Sequence, residues 1–583
     1  MNEVKRKLRS NQSYKKGTKM LQHKVNNIQE TVLITSIENL SNECFYEIFD
    51  YLDGYHIYNA FSNLNYRFQQ LLNSSSLLFK IKIDSPSNKL YTNIYKQITL
   101  MNKHQIFSFD LFSPLKHKQF FSSFSIDSSF DHLESLTLNY LDADVLMSIL
   151  FNLSSLPRLF SLTINMWNVL EDLTDIYRTI LALPMLKFFK FSIGSSDLSI
   201  SLPIVTNKQF STIEYLIMDH FCTRSELFTI ISYTPQLRHL YFMHTEDDNS
   251  NIESILPMTL TNFSVCMYDV TFDEFEMFIS KIYSKLKVLY IITYFEDIVY
   301  LNAARWEQFI LQYLPQLEKF NFEYYEHIDY ENESPSYFDE PNQFTSSFWI
   351  ERRWLFEAKI DVEDIMYSVR PYKKRWYEYN TQHENVSSTQ YSKSNRLTLT
   401  FVPSDECLEL FVIDINRVLS IAQIYYLEIP KKKIFIGILI QIIDLLPELN
   451  SLKLHSLSLS EPRDLCEEEV DIFTSTEDTS KIINVYLEKM IDITEVYFLM
   501  ALCPYMKFLK IGCINNMNVE LFVQNILEKT NAEHNDHLRL LCFHVPTADD
   551  EIIQKLQKMI HVKKLLSDYT IKRIHDNIYL QWT

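Results

Sequence analysis

Residues 156–164 read LPRLFSLTI. Leu159, Leu162 and Ile164 stand at positions one, four and six of a hexad, and the alternation over its last residues is that of a short half-buried strand. Pro157, two residues ahead, stops whatever helix precedes and lies outside the strand, where its missing N–H costs no ladder hydrogen bond. The same apolar-x-x-apolar-x-apolar spelling begins at 106 IFSFDL, 133 LESLTL, 186 LKFFKF, 213 IEYLIM, 237 LRHLYF, 260 LTNFSV, 286 LKVLYI and 317 LEKFNF. Successive starts, with 159 in its place, are 27, 26, 27, 27, 24, 23, 26 and 31 residues apart. In a chain that is 46% hydrophobic a single hexad is a common accident, so the near-constant step is the signal. Prolines agree with it: Pro184, Pro235 and Pro315 also stand two residues before a hexad, and Pro257 three.

The segments between hexads carry helical spacing. Trp306, Phe309, Ile310, Tyr313 and Leu314, for example, share one helical face. Each repeat is thus one strand and one helix, neither able to bury its apolar side alone. The expected fold class is α/β: a curved solenoid with parallel strands on the concave side and helices outside. Regular repeats are assigned to 77–322, followed by an acidic insertion at 323–345 whose core, EYYEHIDYENESPSYFDEPNQF, has seven acids and no Lys or Arg. Degenerate repeats fill 346–583, with hexads at 355 LFEAKI, 424 IYYLEI, 449 LNSLKL, 482 IINVYL, 506 MKFLKI and 538 LRLLCF, Pro447 and Pro504 preceding two of them. A weaker copy, RLTLTF, begins at 396, and IKRIHDNIYLQW at 571–582 reads as a terminal cap.

These hexads resemble the leucine-rich repeat, L-x-x-L-x-L. The family usually has Asn or Cys three residues after the last leucine. Here Leu141, Trp167, Gly194 and Phe221 occupy that place, so the family's side-chain ladder is missing from the turn.

Composition removes several function classes. Only 5 of 583 residues are glycine, and Gly17, Gly54, Gly194, Gly437 and Gly512 are too far apart for a phosphate-cradling loop. The net charge is −19; the first thirty residues hold eight Lys/Arg against two Glu, a net +6, so the remainder carries −25. That body repels phosphate backbones and anionic lipid, which argues against nucleic-acid and membrane partners. The residue 1–30 tail is expected to be disordered; its KRKLR also suits a nuclear address, so cytoplasm and nucleus are both open. Eight scattered cysteines without a CxxC, and no secretory leader, predict free thiols in a reducing compartment. The longest strongly apolar run, IFIGILIQIIDLL at 434–446, is too short to span a bilayer.

Upstream of the repeats, LSNECFYEIFDYLDG at 40–54 reads as a short helix with Ser41 as N-cap, a Leu40/Phe45 staple and Gly54 as a left-handed C′ residue. Two further helices follow by residue 76, too little core to stand alone. The stretch from 37 to 72 resembles the F-box, with Leu40, Ile48, Leu52, Asp53 and Arg67 on the family's positions, Ser41 in place of its proline and Leu64 in place of its valine. The resemblance implies a three-helix F-box over 31–76 that docks on a Skp1-type adaptor, and through it a cullin, with Leu40, Cys44, Phe45, Ile48, Leu52, Ile57 and Phe61 as docking residues. A helical cap that only shields the first repeat is the plainer reading of the same residues.

Catalytic and metal sites are not expected. HNDH at 534–537 lacks zinc-helix spacing, CEEEVD at 466–471 reads as a solvated acidic turn, no G-x-S-x-G occurs, and Cys407, Cys503 and Cys542 have no evident base. No cofactor is expected either. Hexad positions three and five should face outward, presenting Phe188 and Lys190, Tyr215, His239 and Tyr241, then Tyr290, as a surface for a protein substrate. The chain is expected to be a non-catalytic substrate receptor of a ubiquitin ligase. The alternative is a repeat scaffold or inhibitor with a helical cap.

Overall fold

The hexads become strands because their three apolar positions all find cover. In every hexad quoted above except the copy at 396, positions one, four and six are buried, none more than 8% exposed. The computed structural model describes residues 37–83, 103–112, 126–141, 143–166, 172–194, 199–203, 210–244, 259–280, 285–294, 297–328, 343–373, 394–402, 408–459, 463–514, 518–532, 537–546 and 549–583. The basic tail, most of the acidic insertion, Trp167, Pro257, Cys407 and most of HNDH lie outside them. The chain divides into two units, Met1–Ser264 and Val265–Thr583, each α/β with a mostly parallel sheet.

The first unit opens with three helices, α1 (Asn42–Asp50), α2 (Gly54–Phe61) and α3 (Tyr66–Leu72). Strands β1 (Phe79–Ile83), β2 (Ile106–Phe112), β3 (Ser135–Leu141), β4 (Ser161–Met166), β5 (Phe188–Ile193), β6 (Tyr215–Cys222) and β7 (His239–His244) follow, each parallel to the next. Helices α4 (Ala143–Leu153), α5 (Thr174–Leu181) and α6 (Arg224–Ser232) fill three of the connections, as parallel crossovers require. The division between units falls within β8 (Asn262–Met267).

One hydrogen-bond device recurs at most steps from Glu134 onward. The carbonyl of hexad position two accepts the N–H groups of positions two and three in the next repeat: Glu134 O takes Phe160 and Ser161 (both 2.9 Å), Phe160 O takes Lys187 and Phe188, and Glu214 O takes Arg238 (2.8 Å) and His239 (3.0 Å).

In the second unit β9 (Val288–Thr293) pairs in parallel with β10 (Lys319–His327), with helices α7 (Phe272–Ser280) and α8 (Ala303–Tyr313) beside them. Trp306, Phe309 and Ile310 of α8 are buried as their spacing predicts. Three expectations are corrected here. The acidic stretch is not all loop, because β10 runs to His327 and Phe344 is buried against Trp349 and Phe356, ring centroids 5.0 and 5.5 Å away. After α9 (Ser347–Arg352), the hexad at 355 forms β11 (Trp354–Ile360), yet it does not pair with β10. An unforeseen strand, β12 (Asp364–Pro371), is antiparallel to both and lies between them. The copy at 396 starts two residues earlier, at Ser394. The strand there, β13 (Arg396–Leu399), buries Leu397 and Leu399, and Asn395 O is the double acceptor, from Tyr425 (3.0 Å) and Tyr426 (3.1 Å).

From β13 the parallel order resumes through β14 (Tyr426–Phe435), β15 (Ser451–Ser458), β16 (Asn484–Leu487), β17 (Phe508–Ile511) and β18 (Leu540–His544). Helices α10 (Leu408–Ile421), α11 (Ile436–Asp444), α12 (Glu467–Thr479), α13 (Ile493–Leu502) and α14 (Val519–Ala532) connect them. CEEEVD is solvated as expected except at Glu469, but it forms the N-cap and first residues of α12 rather than a turn. Glu469 is fully buried: Arg463 grips its two oxygens at 2.7 and 2.8 Å and pulls its pKa down to about 2, while Gln441 adds a third bond at 3.1 Å. Gly437 is needed opposite, because a Cβ there would collide with this carboxylate. After α15 (Asp550–Lys563) the chain closes with a hairpin of β19 (Tyr569–Ile574) and β20 (Asn577–Trp582). β20 pairs antiparallel with β18, and Trp582 N–H donates to Arg539 O (3.0 Å), the carbonyl that another repeat would have used. No helix among the described residues is long and apolar enough to cross a membrane.

Two predictions follow from this packing. Truncation after residue 568 removes β19 and β20 and leaves the β18 ladder groups unpaired, so the shortened chain should self-associate in light scattering where the full chain does not. In the first unit His220 and Tyr177 are both buried. The Tyr177 hydroxyl lies 2.6 Å from His220 Nε2 while Nδ1–H donates to Phe221 O (2.8 Å), so with the ring neutral the hydroxyl donates to Nε2. Burial pushes the imidazole pKa below its ordinary value. Stability from this site should therefore be complete above the unfolded value near 6.5. As pH falls below it the unfolded chain binds a proton the folded one refuses, and stability drops by up to ~1.4 kcal/mol per pH unit. The urea midpoint should fall more steeply between pH 7 and 5 than in His220→Gln; equal slopes would remove His220 from the account.

Candidate functional site

Two surfaces of the first unit carry the residues singled out from sequence, the helical head and the outward face of β2 to β7. The head is built around four phenylalanines. Phe45 packs edge-on against Phe61 and Phe68 (6.0 and 4.8 Å between ring centroids), and Phe49 against Phe61 (5.1 Å). Asp53 caps α2 by accepting from His56 N–H (2.7 Å) and Asn65 caps α3 by accepting from Phe68 N–H (3.2 Å). Ser41 is the N-cap of α1 by backbone conformation, though its side chain makes no capping bond to the helix backbone.

Gly54 is not a left-handed C′ residue. It is the first residue of α2, with no positive φ, and an added Cβ would lie 2.6 Å from Ile81 Cδ1 and 3.2 Å from Phe79 Cβ. The absent side chain lets α2 lie directly on β1. Gln105 ties the same junction: its buried amide donates to the carbonyls of Leu72 (3.2 Å), Ser74 (2.7 Å) and Leu77 (3.1 Å).

The seven docking candidates divide accordingly. Phe45, Ile57 and Phe61 are buried inside the head and present nothing to a partner, because the chain's own aromatic cluster covers them. Leu40 is 38% exposed, and Cys44, Ile48 and Leu52 are half-buried. Cys44 and Ile48 are one turn apart on α1, with Leu52 just past its end, so an open apolar stripe remains. Ile37, Tyr51 (90% exposed) and Tyr66 extend the exposed apolar surface of the head. Sequence reasoning passed over them because they fall off the buried stripe that defined the helices. Arg67 organises the entry to α1. Its guanidinium donates to Glu38 O and Leu40 O (both 2.6 Å) and to Asn42 Oδ1 (2.7 Å from Nη2), and lies over the Phe45 ring at 5.4 Å.

On the sheet, hexad positions three and five do face away from the helices: β4, β5 and β7 alternate partly exposed and buried residue by residue. Parallel register puts Phe188 opposite Tyr215 and Tyr215 opposite His239. Phe188 and Tyr215 stand 6.4 Å apart and Tyr215 stacks on His239 at 4.1 Å. Burial, then the neighbouring Arg238, pushes the His239 pKa down, so the ring offers a neutral stacking face at pH 7. Lys190 lies opposite Thr163 on one side and Ile217 on the other, and Ile217 opposite Tyr241. A polar row flanks them: Asn165 donates to Asn139, Asn139 to Asp110, and Ser192 to Asp219 (3.0 Å).

Tyr290 belongs to the second unit and a different cluster. Its hydroxyl donates to Glu323 (2.8 Å), which also accepts from Tyr325 (3.1 Å) and Arg370 (2.7 Å). Burial first, and Glu323 second, raise the Tyr290 pKa, keeping it a donor. Tyr325 also stacks on Tyr294 at 4.7 Å, and Tyr294 on Tyr268 at 4.9 Å.

Among the candidate nucleophiles, burial pushes the Cys503 thiol far up and the Cys542 thiol up to about 11, against reactivity for either. No group of three or more His, Cys, Asp or Glu among the described residues is arranged to hold a metal ion. No family model and no curated protein matches this chain.

Arg67→Ala should free the segment 37–40 without unfolding the head, whose aromatic core it only overlies. Amide exchange at Leu40 and Ser41 should rise while that of Phe49 and Phe68 stays protected; unchanged exchange at Leu40 would show that the clamp is idle.

Proposed function

We propose that this chain is a non-catalytic substrate-recognition adaptor. The helical head, read as an F-box, docks on a Skp1-type adaptor and through it a cullin; the strand–helix units, read as leucine-rich repeats, select protein targets for ubiquitin transfer by other subunits. The observation that carries this reading is the stripe of Leu40, Cys44, Ile48 and Leu52, left open on a head whose aromatic core is already closed. A small domain with a finished core gains nothing from further apolar surface unless another chain covers it. Two units of stacked strands supply the gripping surface. The acidity of the body speaks against nucleic-acid or anionic-lipid partners, and nothing in this reading needs a cofactor. Cytoplasm or nucleus is the fitting compartment.

A second reading, a leucine-rich-repeat scaffold or inhibitor whose head is only an N-terminal cap, draws on Gly54 and Gln105, which seat the head on the edge strand β1. Capping uses the α2 side and docking the α1 side, so the same head has surface for both.

Truncating a leucine or isoleucine anchor at an interface costs ~2–4 kcal/mol. Ile48→Ala with Leu52→Ala should therefore abolish co-purification with a Skp1-type adaptor while leaving the thermal melt close to that of the unaltered chain. Equal recovery of adaptor by both proteins would leave the cap reading in place.

A further inference from the structure

We infer that the outward face of β4, β5 and β6 takes a protein segment in which a carboxylate side chain stands beside a large apolar one, the carboxylate meeting Lys190 and Thr163 and the apolar group lying on Phe188 and Tyr215. This deepens the recognition reading above and rests on it only in calling the segment part of a target.

Lys190 is the half-buried cation of this face, and it makes no ion pair with any described residue. Its neighbours differ: Lys187 and Arg238 both reach Glu214, at 3.2 and 3.5 Å. Its ammonium is thus not spent on an ion pair within the described chain and is available to an incoming carboxylate. Thr163, directly opposite on β4, adds a hydroxyl that bonds no described residue, so two donors stand side by side.

Two residues along β5 from Lys190, on the same face, is Phe188. Across from it Tyr215 is 39% exposed and held rigid by stacking on His239. Rigid, part-exposed aromatic rings are what an interface anchor packs on at low entropic cost. A carboxylate suits the charge better than a phosphate. Lys190 is the one cation that the described residues of β4, β5 and β6 present on this face, and the diagonal neighbour Asp219, already bonded by Ser192, repels a second negative charge.

The test is selection from a random peptide display library on the purified full chain, its Lys190→Glu variant and its Tyr215→Ala variant, each checked for an unaltered thermal melt. The unaltered chain should enrich Asp or Glu beside an aromatic or aliphatic residue. Lys190→Glu should switch the charged position to Lys or Arg, and Tyr215→Ala should erase the apolar preference. The best peptide, synthesised, should lose about tenfold or more in affinity when its acid becomes the amide. Replacing that acid by phosphoserine should not tighten binding. Enrichment unchanged by Lys190→Glu, tighter binding of the phosphopeptide, or no enrichment on folded protein would each overturn the inference. Adaptor capture measured on the same preparations separates the two ideas: its loss with peptide selection intact refutes the receptor reading alone.

Discussion

A single backbone carbonyl per repeat sets the spacing of everything else. The hexad's second residue offers one oxygen with two lone pairs, and the next repeat fills both with consecutive N–H groups, from Glu134 to Arg238 in the first unit and from Asn395 to Lys507 in the second. Because the acceptor is backbone, any side chain can stand at that position, and Glu, Phe, Lys, Arg, Asn, Tyr and Ile all do. Stacking therefore survives wide sequence drift provided that positions one, four and six stay apolar. Each such bond contributes only ~1 kcal/mol net, but leaving a buried one unmade costs ~1–3 kcal/mol, so register slips are heavily penalised. Thr212 and Thr259 reinforce the same edge, their hydroxyls donating to Leu186 O (2.8 Å) and Leu237 O (2.7 Å).

Once register is held, the outward face is free to vary, and it does. Across β3 and β4 it is made of Ser135, Thr137, Asn139, Ser161, Thr163 and Asn165; across β5 to β7 it becomes aromatic around Lys190. In the second unit the corresponding rows carry alternating charge. Glu428 is bonded by Arg396 and, at 2.9 Å, by Lys453, and the Tyr486 ring lies between Lys453 and Lys510, 5.4 and 5.0 Å from their ammonium groups. Ion pairs on such a face neutralise one another internally. Lys190, among aromatic rings, makes no ion pair with any described residue and is left to be matched from outside.

How much of this was legible without coordinates follows from the range of each interaction. The hexads were legible because burial at period two is a local property of six residues. β12 was not: its alternating Ile365, Tyr367 and Val369 follow only a few residues after the hexad at 355, off the repeat's step, and its partners, β10 and β11, are chosen by long-range pairing. The hexad at 394 was misphased because Ser394, polar yet only 5% exposed, fills an apolar slot. Gly54 followed a sound local rule to the wrong place, since the packing that requires it comes from Phe79 and Ile81, well down the chain. In the head, periodicity identified which residues are apolar but not which the chain itself covers. Phe45, Ile57 and Phe61 went inside, while Leu40, Ile48 and Leu52 stayed partly open, a difference that only the assembled helices decide.

The β11–β12 hairpin alters how the second unit can assemble as it leaves the ribosome. From β13 to β18 the next strand synthesised is the next strand to dock, and closing each loop of about one repeat is fast and cheap. At β10 this order is violated: its partner is β12, which emerges after β11, and Phe322 must wait for Val369. Growth cannot pass this point in chain order. β12 has to be out before β10 is covered, so the chain beyond β10 is held back until Pro371 has emerged, and only then does stepwise docking resume at β13. That pause separates the nascent chain into an early and a late folding block, with the hairpin as the gate between them.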